Sequence, residues 1–195
     1  VGSEMCIRDR YKSMIMEIDF ITSNKGKIAA LKRSFLNAGR FDIKVNQVQA
    51  DIVEPQLNNI ADVSKYKAME AFKILKKPIL VEDGGLVIEA LNGFPGPYTK
   101  YVLSTIGIDG ILKLMNGENN RAAKFVSFAT FVGNDGTVCQ FERFGDNFEI
   151  AYERKTVIHP DAWSDLWQVM YMKDYGKMLC EFSKQELSDL SLIHI

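Results

Sequence analysis

The chain has 195 residues, 47% of them hydrophobic and 25% charged, with a formal net charge of −1. That length fits one domain whose core needs no covalent staples, and the near-neutral balance argues against a protein that blankets nucleic-acid phosphates with a basic surface. No apolar run approaches a membrane span, and Cys6, Cys139 and Cys180 show neither metal-ligand spacing nor a disulfide framework, which points to a reduced, cytoplasmic setting.

Residues 1–10 lack the apolar stretch of a secretory signal. They resemble translated sequencing-adaptor read-through, as does the terminal Leu190-Ser-Leu-Ile-His-Ile195. The expectation is a natural chain that starts near Met14 or Met16 and has lost its own C-terminus. Residues 14–189 would then form one domain between non-native or disordered ends at 1–13 and 190–195.

The first element, Ile18-Asp-Phe-Ile-Thr22, alternates apolar and polar residues and predicts a strand. Ser23 or Asn24 then caps a helix over residues 26–37 that stops at Gly39. A strand, a polar loop and a helix N-terminus make a natural anion site, and Lys25 and Lys27 add charge beside it. The glycine spacing of a Walker A loop is absent, so on its residues alone the segment is either an anion loop or an ordinary capped helix. A second strand over residues 43–48 leads into Asp51-Ile-Val-Glu-Pro-Gln56, and a helix over residues 61–75 follows. Its buried side is expected to carry Val63, Tyr66, Met69 and Phe72 or Leu75, with Lys67 off that stripe.

Ile79, Leu80 and Val81 read as a short buried strand that ends in two carboxylates, Glu82 and Asp83. Gly84 and Gly85 then let the chain turn and bring backbone close to a ligand. Carboxylates at the mouth of a buried strand suit a hard cation such as Mg²⁺, or a base that takes a proton from water, or else a solvated acidic loop. Gly93-Phe-Pro-Gly-Pro97 is a stiff turn, and residues 109–115 a short helix. The second half is β-rich: a long strand over residues 122–132, a hairpin turn at Gly133-Asn-Asp-Gly136, a returning strand over 137–144, and a further one in which Phe148, Ile150 and Tyr152 alternate. The pattern predicts an α/β fold.

Val81-Glu-Asp-Gly-Gly-Leu86 and Leu91-Asn-Gly-Phe-Pro-Gly-Pro-Tyr98-Thr-Lys100 resemble the signature of the inosine triphosphatase, or Ham1-like, family of noncanonical purine nucleoside triphosphate pyrophosphatases. Gly84 stands where that family has Ser or Thr. Thr22, Ser23, Asn24 and Lys27 fall on its phosphate loop, with Ser23 for the usual Gly. The resemblance implies a long mixed, twisted sheet flanked by helices, with a substrate cleft between two lobes. It also implies a cytoplasmic homodimer that cleaves ITP, dITP or XTP to the monophosphate and pyrophosphate with Mg²⁺, and that engages neither nucleic-acid polymer nor membrane. Asp83 would activate water, while Glu54, Glu82 and Asp83 would place the metal. Thr22, Ser23, Asn24, Lys27 and Lys67 would hold phosphates, and Gly84 and Gly85 would offer backbone amides.

Residues 159–182 depart from the family. Its base-reading Phe-Gly-Tyr/Trp-Asp-Pro has its best match in Asp165-Leu-Trp-Gln-Val169, so Trp167 keeps the aromatic and Gln168 replaces the Asp. Trp163, Trp167 and Tyr171 are either base-stacking or core aromatics. Lys184 lies near the family's next lysine, whose own position is taken by Leu187, and Leu192 and Ile193 stand where a His-Arg pair closes the site. The alternative reading is therefore a nucleotide-binding protein of the same fold with little or no turnover.

Overall fold

A computed structural model of the chain describes residues 15–190. Among these residues eight strands form one mixed sheet. β1 (Met16–Ile21) pairs in parallel with both β2 (Ile43–Val48) and β3 (Ile79–Ile88). β3 continues antiparallel into β5 (Ala122–Val132), β6 (Val138–Ile150), β7 (Met170–Met172) and β8 (Lys177–Met178), and the two-residue β4 (Pro95–Gly96) pairs with the far half of β3. A sheet this wide carries the usual strand-to-strand twist.

Helices cover both faces beside the parallel strands. α1 (Lys25–Asn37) buries Ile28 against Phe20 and Val45 on one face. α2 (Ile60–Leu75) sets Ala68 and Ala71 against Ile21, Ile79 and Val81 on the other. A separate and larger core gathers the far half of β3 with α3 (Thr99–Thr105), α4 (Gly107–Leu114), β7 and the last helix α5 (Lys184–Asp189) around Leu86, Ile111, Ile150, Leu166 and Leu179. The two smaller cores thus lie on either face of the parallel strands, and the larger one lies around the far half of β3 and β7.

Three expectations need correction. The stripe drawn on α2 holds at Val63, Met69, Phe72 and Leu75 but fails at Tyr66, which is 40% exposed, and it leaves out Ile60, Ser64, Ala68 and Ala71, which also face inward. A row taken every three residues winds around a helix with 3.6 residues per turn, and the small side chains let this helix sit close to the sheet. Ser64 exploits that closeness, donating to Phe128 O at 3.0 Å and sharing a 2.7 Å hydrogen bond with Thr130 Oγ1.

Secondly, the strand that begins at Ile79 does not end at Glu82 and Asp83. It runs ten residues, straight through Gly84 and Gly85, because both glycines hold ladder positions opposite Ser127 and Val126. Thirdly, the two strands expected over 137–144 and 148–152 are one strand, β6, with a register shift between Lys124 and Val126 that absorbs the irregularity. Tyr152 lies beyond it, 78% exposed, over the guanidinium of Arg121. Leu190, assigned from sequence to a foreign tail, is 5% exposed in the larger core, where an apolar side chain next to Leu187 fills space. The remaining terminal residues, including Leu192 and Ile193, lie outside the described residues.

Candidate active site

The site begins where β1 ends. Asn24 caps α1 in an extended conformation, and its Oδ1 accepts from the amides of Gly26 at 2.8 Å and Lys27 at 3.3 Å. Thr22 Oγ1 accepts from the Asn24 amide at 3.1 Å, which pins the loop. Ser23 is exposed at its tip. Lys27, one turn into the helix, donates to the backbone carbonyl of Glu82 at 3.2 Å and stands 3.9 Å from its carboxylate.

Strand alternation then decides what the two carboxylates do. Successive side chains of a strand point to opposite faces. On β3, Leu80 belongs to the α1 side and Val81 to the α2 side, so Glu82 meets Lys27 of α1 while Asp83 meets Lys67 of α2. Lys67 Nζ donates to Asp83 Oδ1 and to Glu54 Oε1, each at 2.9 Å. Lys67, placed off the buried stripe by the sequence, is thus on the inward face with a side chain only 19% exposed. Burial works against its charge, but Asp83 and Glu54 outweigh that and raise its pKa above the ordinary lysine value. The hydrogen bond from Lys67 holds the Glu54 carboxyl below the usual range, and the Lys67 and Lys100 charges add to it.

A single cation held by Glu54, Glu82 and Asp83 together is therefore not what this fold offers, since Glu82 turns to the other face. Among the described residues no three acidic, histidine or cysteine side chains form a metal cluster. Glu54 and Asp83 do fit Mg²⁺, which characteristically takes one or two carboxylates and completes its shell with water and substrate phosphates. Asp83 Oδ2 is buried and has no hydrogen-bond partner among the described residues. A hard carboxylate oxygen left in that condition is a ready ligand or proton acceptor.

Beside the loop lies a cavity of about 180 Å³ lined by Asn24, Lys27, Glu82, Gly84, Ser127 and Trp163, among others. Gly84 lines this cavity. Gly85 does not line it: a Cβ there would stand 2.7 Å from the Gly96 carbonyl carbon, so its lack of a side chain serves the close approach of β4. Trp167 is also displaced from its expected role. It is 5% exposed in the larger core, edge-on to Trp163 at 6.4 Å and tilted against His159 at 5.4 Å. It borders a neighbouring cavity of about 350 Å³ together with Lys184, Arg33 and Gly26.

Gln168 is buried, its Oε1 and the Trp167 Nε1 having no partner among the described residues. The aromatic that borders both cavities is Trp163, 46% exposed and edge-on to Phe125 at 4.9 Å. Phe125, Ser127 and Arg143 are lining residues that the sequence reading missed, whereas Trp163 was left there between base stacking and core. A signal existed for two of them: counting outward from the hairpin turn pairs Ser127 with Arg143, as the register does.

The model of the Ham1 family matches residues 18–147. By sequence the chain is similar to the dITP/XTP pyrophosphatase of Methanopyrus kandleri, 42% identical over 126 residues, which is 65% of either chain. It is also similar to that of Ignicoccus hospitalis, 38% identical over 138 residues, 70% of this chain and 71% of the relative. The chain spans 65% of the length of the first of these relatives. Solved structures share its fold: a HAM1 protein from Coxiella burnetii with a TM-score of 0.76 at 21% identity, covering 91% of this chain and 92% of that one, and the Staphylococcus aureus Ham1 protein with 0.73 at 24%, covering 90% and 91%.

Proposed function

Because the chain belongs to the Ham1 family, we propose that it hydrolyses noncanonical purine nucleoside triphosphates such as dITP, ITP and XTP to the monophosphate and pyrophosphate. One observation carries this reading. Asp83 has one carboxylate oxygen held by Lys67 at 2.9 Å and the other buried without a partner among the described residues, while its neighbour Glu82 meets Lys27 of the capped helix α1.

The chemistry follows from those groups. Asp83 Oδ2 takes the proton of the attacking water, a task for a carboxylate already fixed by its other oxygen. Lys27 and Lys67 bring positive charge to the phosphates, with Thr22, Ser23 and Asn24 shaping the loop, and Gly84 leaves room in the cavity floor. Charge builds on the departing pyrophosphate, so preorganised cations and amides count most there. Glu54 and Asp83 would hold Mg²⁺, which supplies further neutralisation of that charge. Trp163 and Phe125 present the aromatic surface on which a base stacks, in place of Trp167. Lys184, at the neighbouring cavity, is the cation nearest in role to the family's later lysine.

The same reading includes residues 14–189 as a single domain, a homodimeric assembly and a cytoplasmic setting, carried from the resemblance. Light scattering at micromolar concentration tests the assembly. Among the described residues no helix is long and apolar enough to cross a membrane.

The deciding experiment is pyrophosphate release from ITP, dITP, XTP, GTP and ATP with Mg²⁺. Preferential turnover of ITP, dITP or XTP is the expected result. Binding of all five without release would favour the nucleotide-binding alternative, for which the pertinent observation is Gln168 in place of an Asp, buried and with no partner for its Oε1 among the described residues.

A further inference from the structure

We propose that Lys67 serves as a resident counter-cation, closing Glu54 and Asp83 to a free divalent metal until a triphosphate draws its ammonium away. This rests on the functional reading above, but its test does not depend on turnover.

The geometry makes the case. Lys67 Nζ lies 2.9 Å from both Glu54 Oε1 and Asp83 Oδ1, the distance of charge-assisted hydrogen bonds. A metal using the same two carboxylates would have to share them with an ammonium of like charge. The Lys67 and Asp83 side chains are only 19% and 17% exposed, so water screens that repulsion poorly. No third carboxylate relieves it: Glu82 is on the opposite face, and no cluster of three potential ligands exists among the described residues. Lys100 adds positive charge near Glu54.

The parts that would have to move can move. The Lys67 ammonium sits on a flexible four-carbon stem, a point charge with rotatable donors that a phosphate oxygen can satisfy as well as a carboxylate. Glu54 lies between β2 and α2 outside regular structure, with a side chain 62% exposed, while Asp83 is fixed in the middle of a ten-residue strand. A triphosphate chain that reaches Lys67 would offer it a stronger anion than either partner. With the ammonium shifted, the two carboxylates would be free to hold a metal together with phosphate and water oxygens. Metal and nucleotide then favour each other's binding, and the coupling is reciprocal by thermodynamic necessity.

The test uses Mn²⁺ alone as probe, titrated into the full chain and followed by the electron paramagnetic resonance of the free ion. Wild type is expected to bind Mn²⁺ weakly without nucleotide. Lys67→Met should bind it about 5- to 150-fold more tightly, the usual range of coupling between sites, and adding Asp83→Asn to that variant should abolish the gain. Lys67→Gln provides a second neutral variant, and circular dichroism melts establish that both are folded. Equal Mn²⁺ affinity in wild type and in either folded variant overturns the proposal. So does tight wild-type binding that Asp83→Asn removes, a result that needs no Lys67 variant. Absence of pyrophosphate release from every nucleotide would count against the proposed activity while leaving the Mn²⁺ comparison intact.

Discussion

Replacing Gly85 by Ala should be among the most damaging single-methyl changes available in this chain. A Cβ built on Gly85 would stand 2.7 Å from the carbonyl carbon of Gly96, closer still to its oxygen, and 3.1 Å from Thr99 Oγ1. Ordinary carbon contacts lie near 3.5–4.0 Å, and the obstruction is backbone, so no rotamer change relieves it. β4 must draw back from β3, opening the Leu86–Gly96 and Val87–Pro95 pairing. Thr99 Oγ1 now accepts from the Leu86 amide at 2.8 Å and donates to Gly96 O at 2.7 Å, and both buried bonds are lost with that movement.

Overpacking costs about 1–3 kcal/mol and two buried hydrogen bonds about 1 kcal/mol each, giving a loss of about 3–5 kcal/mol. For a chain of this size that corresponds to a melting temperature lower by roughly 6–20 °C. Gly84→Ala is the milder comparison: its Cβ would meet Ser127 Cβ at 3.1 Å and the Val126 carbonyl oxygen at 3.3 Å, contacts that a backbone adjustment of a few tenths of an ångström relieves. Thermal and urea denaturation followed by circular dichroism measure both. A Gly85→Ala protein melting within about 2 °C of wild type, or Gly84→Ala losing as much, would refute the reasoning.

Asp83→Asn keeps the shape but cannot accept the proton, and pyrophosphate release should fall by about 10²–10⁴-fold; a variant retaining a tenth of wild-type turnover removes Asp83 from that role. Trp163→Ala should raise KM for nucleoside triphosphates with little change in melting temperature, because the ring is 46% exposed at the cavities. Trp167→Ala, at 5% exposure, should instead cost about 3–5 kcal/mol of stability; the reverse pattern would return base stacking to Trp167. The pH dependence has two limbs. Glu54, with its pKa lowered from 4.5, contributes stability that is present above 4.5 and lost as pH falls through its depressed value. Lys67, raised from 10.5, contributes stability present below 10.5 and lost as pH rises through its elevated value. The stability difference between wild type and Lys67→Met should therefore be flat between those limits and shrink outside them, as denaturation across pH will establish.

Much of this fold is written in local patterns. Alternation in Ile18-Asp-Phe-Ile-Thr22, an Asn before a helical run, and a Gly-Asn-Asp-Gly turn between two apolar stretches specify strand, cap and hairpin through forces that act within a few residues. The helix over residues 61–75 was legible to within one residue, though not every side chain that it turns inward. Small residues such as Ser64, Ala68 and Ala71 carry little hydrophobic signal, and they turn inward because the sheet demands a close approach. Thr22, Asn24 and Lys27 were legible as one loop for the same local reason. The grouping of Glu54, Lys67 and Asp83 was not, since three separate elements supply them and only the packing of α2 on β3 brings them together.

Likewise Glu82 and Asp83 are neighbours in sequence yet serve opposite faces. That separation depends on β3 running unbroken to Ile88, which its pairing with β5 enforces. Trp163 and Trp167 differ only by four positions, and burial alone distinguishes them. Sequence determined the elements and the chemical inventory. The tertiary structure decided which side chains share a volume, because strand register, helix rotation and exclusion of water are set by contacts between residues far apart in the chain.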